Sequence, residues 1–392
     1  MAQVEMKKLP VSSQTKLING VLVLIGAVSF AVLLKQDSQR AWTAYLTSFF
    51  FFINLALGGL FFASVQHVAK AGWSTTVRRV AEALSAFLPV ALVLGLIFLA
   101  GAPKIYEWLH PEVVAGDALL QKKAAYLNFP FFSIRTVLFF GIWIFFAWKL
   151  VGNSLKQDEN GDPQLTVKAV PYSILFLILF AFSYSLYTVD LLMSLHPHWF
   201  STMFGVYCFA GLFQSSLATI ILFTLFLMNR GLLKGLVGMD HIHDLGKFLF
   251  AFTVFYAYIA FSQFMLIWYA NIPEETVFYL HRAHGGWMAI SVGIAIFKFV
   301  VPFFALASRH AKRNVMVLST ICLLLLVMQW VEIFWLVYPN FNEGHLVVPT
   351  WEIGVFLGFL GLFMLSVLWF LSRFSVVAGR DPRIHEALHH HT

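Results

Sequence analysis

Long uninterrupted runs of apolar residues constrain this chain more than any other feature. Of its residues, 60% are hydrophobic and 11% are charged, and the charged fraction is about half that of a soluble domain. A helix needs about 20 mainly apolar residues to cross a bilayer, and lipid offers backbone groups no hydrogen bonds of its own. Because the runs do not alternate with period two, they predict an all-α polytopic membrane protein. The ten predicted spans are residues 17–34, 41–66, 80–101, 131–151, 171–195, 199–228, 246–271, 286–307, 315–338 and 352–374.

The positive charges between the spans predict the orientation of the chain. Ten is an even number of spans, so both termini lie on one side of the membrane. The termini and the loops on their side hold 17 Lys and Arg residues, and the opposite loops hold six. Cytoplasmic loops carry the excess of Lys and Arg, so both termini are predicted to be cytoplasmic. Membrane insertion alone explains the formal charge of +7, and binding to nucleic acid is not expected.

The cysteine content excludes two kinds of redox centre from this chain. The only cysteines are Cys208 and Cys322, and each falls within a predicted span. Two cysteines are too few for a Cys-ligated iron–sulfur cluster, and neither belongs to the C-x-x-C-H motif of c-type haem. Both are expected to be small buried hydrophobic residues, and no cofactor is expected to be bound by this chain itself.

An internal repeat indicates a specific architecture. The segments YTVDLLMSLHPHWF and QWVEIFWLVYPNF end the fifth and ninth spans, and in both a proline follows an acid by seven residues. The alternative is a chance alignment of apolar sequence. The repeat predicts two four-helix bundles of the same orientation, spans two to five and six to nine, flanked by spans one and ten. The corresponding divisions of the chain are residues 1–40, 41–198, 199–345 and 346–392.

Two acids stand at matched places in the repeat, Asp190 in the fifth span and Glu332 in the ninth. Each lies about seven residues from the end of its helix, hence about 10 Å deep at 1.5 Å per residue. An acid inside a span costs roughly 2.5 to 3.5 kcal/mol on insertion scales and normally faces a partner or a wet cavity. Two such costs at matched sites favour a functional role, and the acids are predicted to belong to a proton path.

Arg135 in the fourth span lies at a depth comparable to that of Asp190. Two interpretations of these residues are open: a structural ion pair between neighbouring helices, and a proton relay. Tyr184 and Tyr187 share a helical face with Asp190, and such a face is able to hold water. They are therefore candidates for the same proton path.

Glu332 has no arginine at the position equivalent to Arg135, which is Met288. Its basic partner is therefore expected among three residues a turn or two higher, namely His281, Arg282 and His284. Gln329, three residues earlier, is expected beside it. Burial without a cation disfavours the charged form of a carboxyl group, so Glu332 is the better candidate for a protonatable group.

Further polar residues extend the predicted path towards both sides of the membrane. Lys298 lies in the inner half of the eighth span, and Lys247 stands at the inner end of the seventh. Tyr256 and Gln263 follow on the seventh span towards the outer side. The pattern predicts a polar entrance inside and a polar exit outside, with the alternative that Lys247 only extends its amine to the interface.

The chain resembles a known family of membrane subunits. Ten spans, the doubled four-helix unit, the acid in the outer third and the run SLHPHWFSTMFGVYCFAG are similar to the NrfD-like, or polysulfide-reductase-type, membrane subunits. The resemblance rests mainly on DLLMSLHPHWFST, and the rest of the chain supports it by topology. Within the family, the chain is most similar to the second NrfD-type subunit of alternative complex III, a bacterial quinol oxidoreductase.

The resemblance implies a place in the bacterial inner membrane and a set of partners. Such a complex oxidises quinol and passes electrons through the iron–sulfur clusters of a periplasmic subunit to the haem c groups of multihaem cytochrome c subunits. A terminal oxidase then receives the electrons. Quinol oxidation is assigned to a sister subunit, an ActC-like quinol-binding membrane protein. The resemblance therefore implies a non-redox subunit here, proton-conducting or structural, in contact with lipids.

Two alternatives from other classes are open. One is a quinol-oxidising NrfD-type anchor, which would hold quinone in the outer half of spans two to five. The other is a secondary transporter with parallel repeats, whose substrate lies near the midplane between broken helices. Gly58–Gly59 and Gly285–Gly286 are the candidate breaks. A transporter works when purified alone, whereas a complex subunit co-purifies with haem-bearing partners.

Overall fold

The computed structural model describes residues 5–342 and 345–391 and is built from helices. No strand occurs in these two ranges, and ten of their helices are long and apolar enough to cross a membrane. The prediction of an all-α polytopic fold with ten spans is therefore confirmed. In chain order, the spans α1 to α10 are Ser13–Gln36, Ser38–Val68, Gly72–Lys104, Phe129–Asn160, Pro163–Leu195, Phe204–Asn229, Met239–Ala270, Trp287–Ala307, Val315–Asn340 and Trp351–Arg373.

Several spans reach past their predicted limits because the helix continues into polar sequence. The apolar run predicts residues 131–151 for α4, but the helix continues through LKQDEN to Asn160. It ends there because Gly161 adopts the left-handed conformation at φ 68°, which glycine adopts without steric strain. Asp162 then caps α5 through a side-chain hydrogen bond, and Pro163 occupies the first turn of α5. Proline lacks a backbone N–H, but the N–H groups of the first turn have no partner within the helix.

α2 and α6 form the centre of the bundle. In the most apolar 18-residue window of each, 89% and 78% of the residues are buried. The two helices pack against each other. In the first group of four helices, α2 to α5, α2 also packs against α3 and α5. In the second group, α6 to α9, α6 also packs against α7 and α9. Between the groups, α5 also contacts α6, and α9 contacts α2. The two groups of four thus share one contact pattern, while the domain boundaries drawn from the sequence stay predictions.

Both ends of the described chain lie on the same side of the bundle. The Leu9 backbone N–H donates to the Leu371 carbonyl at 2.9 Å, and the Val376 N–H donates to the Lys7 carbonyl at 2.9 Å. These bonds tie the segment before α1 to the end of α10. We call this side the terminal side and the other the opposite side. Which of them faces the cytoplasm stays a prediction.

A buried network of charged side chains holds the C-terminal segment on the terminal side. Arg78, in the α-helical segment Thr75–Leu84 of α3, donates to Asp381 at 2.8 Å and to Glu82 at 3.2 Å. Burial raises the pKa of the Asp381 carboxyl, but the charges of Arg78 and Arg383 outweigh it and hold that pKa below its ordinary value. The segment after α10 is therefore attached to α3 by an ionised carboxylate.

The flanking helices α1 and α10 approach closely through glycine. A Cβ added to Gly26 would lie 2.4 Å from the Gly358 Cα, and one added to Gly354 would lie 2.0 Å from the Ser29 Oγ. Backbone-to-backbone contact at small residues is a common way for membrane helices to associate, because lipid supplies no hydrophobic force between them. The α1–α10 pair is therefore a packed interface that no larger side chain fits.

We expect Gly26→Leu to lower the free energy of unfolding by about 1 to 3 kcal/mol, the usual range for overpacking. The obstacle is the backbone of α10, which cannot rotate out of the way as a side chain can. Gly20→Leu is the matched control, because it lies on the same helix and a Cβ there meets nothing within 4 Å. Thermal unfolding of both variants in one detergent is the measurement, and equal midpoints for the two would contradict the interface.

Candidate functional site

A buried ion pair joins α8 and α9 inside the second group of four helices. The Lys298 ammonium donates to Glu332 Oε2 and, at 2.7 Å, to Gln329 Oε1. Lys298 is 0% exposed and Glu332 is 2% exposed. Charged groups inside a membrane span normally pair in this way, because an isolated charge there is costly.

Two tyrosines complete the surroundings of Glu332. The hydroxyl groups of Tyr207 on α6 and Tyr256 on α7 both donate to Glu332 Oε1. The Lys298 amine also lies 4.0 Å from the centroid of the Tyr256 ring. The carboxylate on α9 thus receives donors from three other helices. Each donor is a group that can exchange a proton, which suits the cluster to proton transfer.

Two backbone features bring this cluster together. Lys298 lies in a π-helical turn, Ala295–Val300, within α8, and such wide turns are frequent at functional sites. On α6, a Cβ added to Gly211 would lie 2.8 Å from Gln329 Oε1 and 3.3 Å from Glu332 Oε2. Glycine therefore lets α6 approach α9 closely enough for Tyr207 to reach the carboxylate.

Polar groups continue from the cluster towards the terminal side at Gln214 of α6. Its Nε2 donates to Thr253 Oγ1 at 3.0 Å and to the Lys298 carbonyl at 3.4 Å. Its Oε1 is buried and has no hydrogen-bond partner among residues 5–342 and 345–391. Internal water usually satisfies such an atom, so Gln214 is a buried polar group beside Lys298 on the terminal side of the cluster.

Towards the opposite side, polar groups lead from Tyr207 to Gln263. Arg282 lies close enough to Tyr207 and Tyr279 for electrostatic interaction with both. Gln263 Nε2 donates to the Tyr279 hydroxyl at 3.4 Å, and Gln263 Oε1 accepts from Ser201 at 3.1 Å. This series of polar side chains lies between the buried carboxylate and the loop before α6, where it ends at Ser201.

The basic partner of Glu332 differs from the one expected. The sequence predicts a partner among His281, Arg282 and His284, and this is wrong because the partner is Lys298. Lys298 lies ten residues beyond Met288, the position that the repeat matches to Arg135, so the two halves carry their cations at different depths. The His284 side chain is exposed and lies outside the cluster.

Arg282 instead closes the end of α9. Its guanidinium donates to the carbonyls of Trp335 at 3.1 Å, Leu336 at 2.8 Å and Phe278 at 2.7 Å. It also lies 3.7 Å from the centroid of the Phe278 ring. Burial lowers the pKa of Arg282 below its ordinary value. The residue satisfies carbonyl groups that the last turn of a helix leaves without partners.

A second buried ion pair joins Arg135 on α4 to Asp190 on α5. Arg135 Nε and Nη2 donate to the two carboxylate oxygens at 2.8 and 2.9 Å. Nη1 donates to the Tyr126 carbonyl at 2.9 Å, and the guanidinium lies 3.8 Å from the centroid of the Tyr126 ring. The Arg135 guanidinium, which keeps its proton, thus donates to both carboxylate oxygens of Asp190. This favours a structural ion pair over a proton relay.

The other residues of the predicted path lie apart from the cluster. The Tyr184 hydroxyl donates to Asn54 Oδ1 at 3.0 Å, whereas Tyr187 packs among aromatic side chains of α4. Lys247 is half-exposed at the terminal-side end of α7 and pairs with Asp244 at 2.5 Å. The predicted residues that the structure brings together are Glu332, Lys298, Gln329 and Tyr256.

Sequence inspection missed two residues of the site, Tyr207 and Gln214. They stand seven residues apart on α6, about two turns and hence on one face, which is a signal that the sequence does carry. Nothing in the sequence connects Tyr207 to Glu332, which lies 125 residues further along the chain. Only the packing of α6 against α9 brings them together.

The site offers no set of ligands for a metal ion. Within the described ranges, no group of three or more His, Cys, Asp or Glu side chains is placed to hold one. No protein-family model matches the chain, and no curated protein matches it either.

Proposed function

We propose that this chain is the proton-conducting or structural membrane subunit of a bacterial quinol:cytochrome c oxidoreductase of the alternative complex III type. In such a complex it takes the place of the NrfD-type subunit called ActF. The observation that carries the proposal is the buried cluster of Glu332, Lys298, Tyr207 and Tyr256 in the membrane interior.

The cluster has the chemistry of a site that accepts and releases a proton. When the Lys298 amine passes its proton to Glu332, both groups become neutral, and the cost of two buried charges disappears. When the proton returns, the two tyrosine hydroxyls stabilise the carboxylate. The Arg135–Asp190 pair lacks this alternative state, because an arginine does not release its proton in proteins.

Polar groups on both sides of the cluster support a path through it. On the terminal side these are Gln214 and Thr253, and on the opposite side they are Tyr279 and Gln263. Polar side chains inside a membrane normally face each other or a wet cavity. We infer that protons enter from the terminal side and leave on the opposite side.

In this proposal, electrons do not pass through the chain. Quinol is oxidised at an ActC-like membrane subunit, and iron–sulfur clusters and haem c belong to the periplasmic iron–sulfur subunit and to the multihaem cytochrome c subunits. A terminal oxidase receives the electrons. The chain lies in the bacterial inner membrane, and its terminal side faces the cytoplasm, because that side carries the excess of Lys and Arg.

A secondary transporter is the second candidate, and one observation favours it. The π-helical turn Ala295–Val300 is an irregular segment in the middle of α8 beside Lys298, and transporters hold their substrates near the midplane at irregular helices. The predicted break at Gly58–Gly59 is wrong, because these glycines lie within the unbroken α2 and allow close approach of α6 and α3. Gly285–Gly286 lies at the opposite-side end, before α8, and not near the midplane.

Purification from native membranes in a mild detergent tests the proposal. We expect multihaem cytochrome c and iron–sulfur subunits to co-purify with the tagged chain in a fixed ratio, seen by haem spectrum and mass spectrometry. Membranes of the same strain with the untagged chain control for haem proteins that bind the matrix. A colourless 44.4 kDa chain that purifies alone and transports a solute would favour the transporter. Quinone bound in the opposite-side half of α2–α5 would favour the quinol-oxidising anchor.

A further inference from the structure

A long apolar groove runs along the bundle between α9 and α10. Phe51, Phe52 and Leu55 of α2 form its floor, and α6 lines it towards the terminal side. The groove exists because, in the described part of the chain, α9 and α10 both pack on α2 but make little contact with each other. Its volume is about 840 Å³, within the range of small-molecule sites.

The groove opens sideways into the hydrocarbon region of the membrane. Leu323 and Val327 on the α9 rim are 56% and 59% exposed, and Ile353 on the α10 rim is 47% exposed. Apolar cavities do not retain water. A chain molecule from the bilayer therefore enters the groove without crossing a polar layer, and such a molecule is the occupant that the lining suits.

Arg230 provides a polar end to the groove on the terminal side. It follows the last residue of α6, its side chain is exposed, and its guanidinium lies 5.3 Å from the centroid of the Phe226 ring, which also lines the groove. No carboxylate of residues 5–342 or 345–391 forms an ion pair with it. A guanidinium without an acidic partner at the membrane boundary attracts phosphate, because two of its N–H groups can donate to two phosphate oxygens at once.

On α6 the groove extends over about the depth of one leaflet, and on α10 it continues to Ile353, near the opposite-side end of that helix. Thr219 is the lining residue of α6 furthest from Arg230 and stands eleven residues before it, which is about 17 Å along a helix. Half of the hydrocarbon thickness of a bilayer is about 15 Å. A lipid with its headgroup at Arg230 therefore places an acyl chain along the floor of the groove as far as the midplane.

We propose that this groove binds one anionic phospholipid of the terminal-side leaflet, with its phosphate on Arg230 and an acyl chain against Phe51, Phe52 and Leu55. The inference does not depend on the proposed respiratory function, because it uses only the groove and its charged end. The bound lipid fills the space between α9, which carries Glu332, and α10. It therefore stabilises the packing on the lipid-facing side of the candidate site.

Titration of the full-length chain, stripped of lipid in detergent, tests this inference. We expect phosphatidylglycerol to raise the unfolding temperature saturably, and native mass spectrometry to show one bound molecule. Arg230→Gln removes charge-assisted hydrogen bonds and should weaken phosphatidylglycerol binding about tenfold or more. Leu323→Trp narrows the groove at its exposed rim and should weaken phosphatidylglycerol and phosphatidylcholine alike.

Lys168→Gln is the matched control, since it removes an exposed cation on the terminal side outside the groove. It should leave phosphatidylglycerol binding unchanged. The Arg230→Gln variant should unfold at the wild-type temperature in lipid-free detergent, which separates lost binding from lost folding. Equal binding of phosphatidylglycerol by the wild type and Arg230→Gln would overturn the proposal. Retention of a phosphate-free isoprenoid lipid in the groove after native purification would also overturn it.

Discussion

Lys298→Met is expected to lower the free energy of unfolding by about 3 to 5 kcal/mol, the usual effect of removing one partner of a buried ion pair. The loss arises because Glu332, which is 2% exposed, keeps a charge without a cation or must take up a proton. The double variant Lys298→Met/Glu332→Gln removes both charges and keeps an acceptor for the two tyrosine hydroxyls. It should therefore recover most of the lost stability.

Thermal and denaturant unfolding in one detergent measure this effect. Lys156→Met is the control, because it removes an exposed lysine from the terminal-side end of α4, and surface substitutions usually stay within about 0.5 kcal/mol. A double variant no more stable than Lys298→Met would mean that the two residues do not act as a pair. Equal effects of Lys298→Met and Lys156→Met would contradict the burial of Lys298.

The same double variant separates stability from proton transfer. If the cluster carries protons, the purified complex with Lys298→Met/Glu332→Gln should fold and oxidise quinol but fail to move protons in liposomes. A pH-sensitive dye inside the liposomes reports this movement, and the rate of quinol oxidation reports the electron path. Wild-type proton movement in the double variant would assign Lys298 and Glu332 a structural role.

Arg135→Met is expected to destabilise the protein by a similar amount, about 3 to 5 kcal/mol. Asp190 is 0% exposed and loses the donors on both of its carboxylate oxygens. Arg135→Lys should recover only part of this loss, because an ammonium group does not reproduce the two parallel hydrogen bonds of a guanidinium. The double variant Arg135→Met/Asp190→Asn should recover most of it.

The two ion pairs are expected to differ in proton movement. In the complex with Arg135→Met/Asp190→Asn, proton movement should continue at the wild-type level, because an arginine offers no proton to relay. For the stability measurements on the Arg135 variants, Arg373→Met is the control, because it removes an exposed arginine at the end of α10. If the first double variant folds but no longer moves protons, Asp190 belongs to the path and the structural interpretation is wrong.

The two pairs also differ in how far the sequence predicts them. Arg135 and Asp190 lie on consecutive spans at similar depth, so the sequence suggests their contact. Lys298 lies on a π-helical turn, and the wider turn changes the direction of its side chain in a way that residue counting does not reveal. The repeat also pointed to the wrong place, because it aligned Arg135 with Met288. For Glu332 the sequence therefore identified the acid but named the wrong partners.

The sequence by itself determined the class of the protein, the number of its spans and the presence of charges inside them. Hydrocarbon thickness forces each span to be an apolar helix of about 20 residues, and this constraint acts on every span separately. The tertiary structure alone decided that Lys298, Tyr207 and Tyr256 meet at Glu332 and that a groove remains between α9 and α10. These contacts depend on the rotation and depth of one helix relative to another, which packing against neighbouring helices sets and which apolar length does not specify.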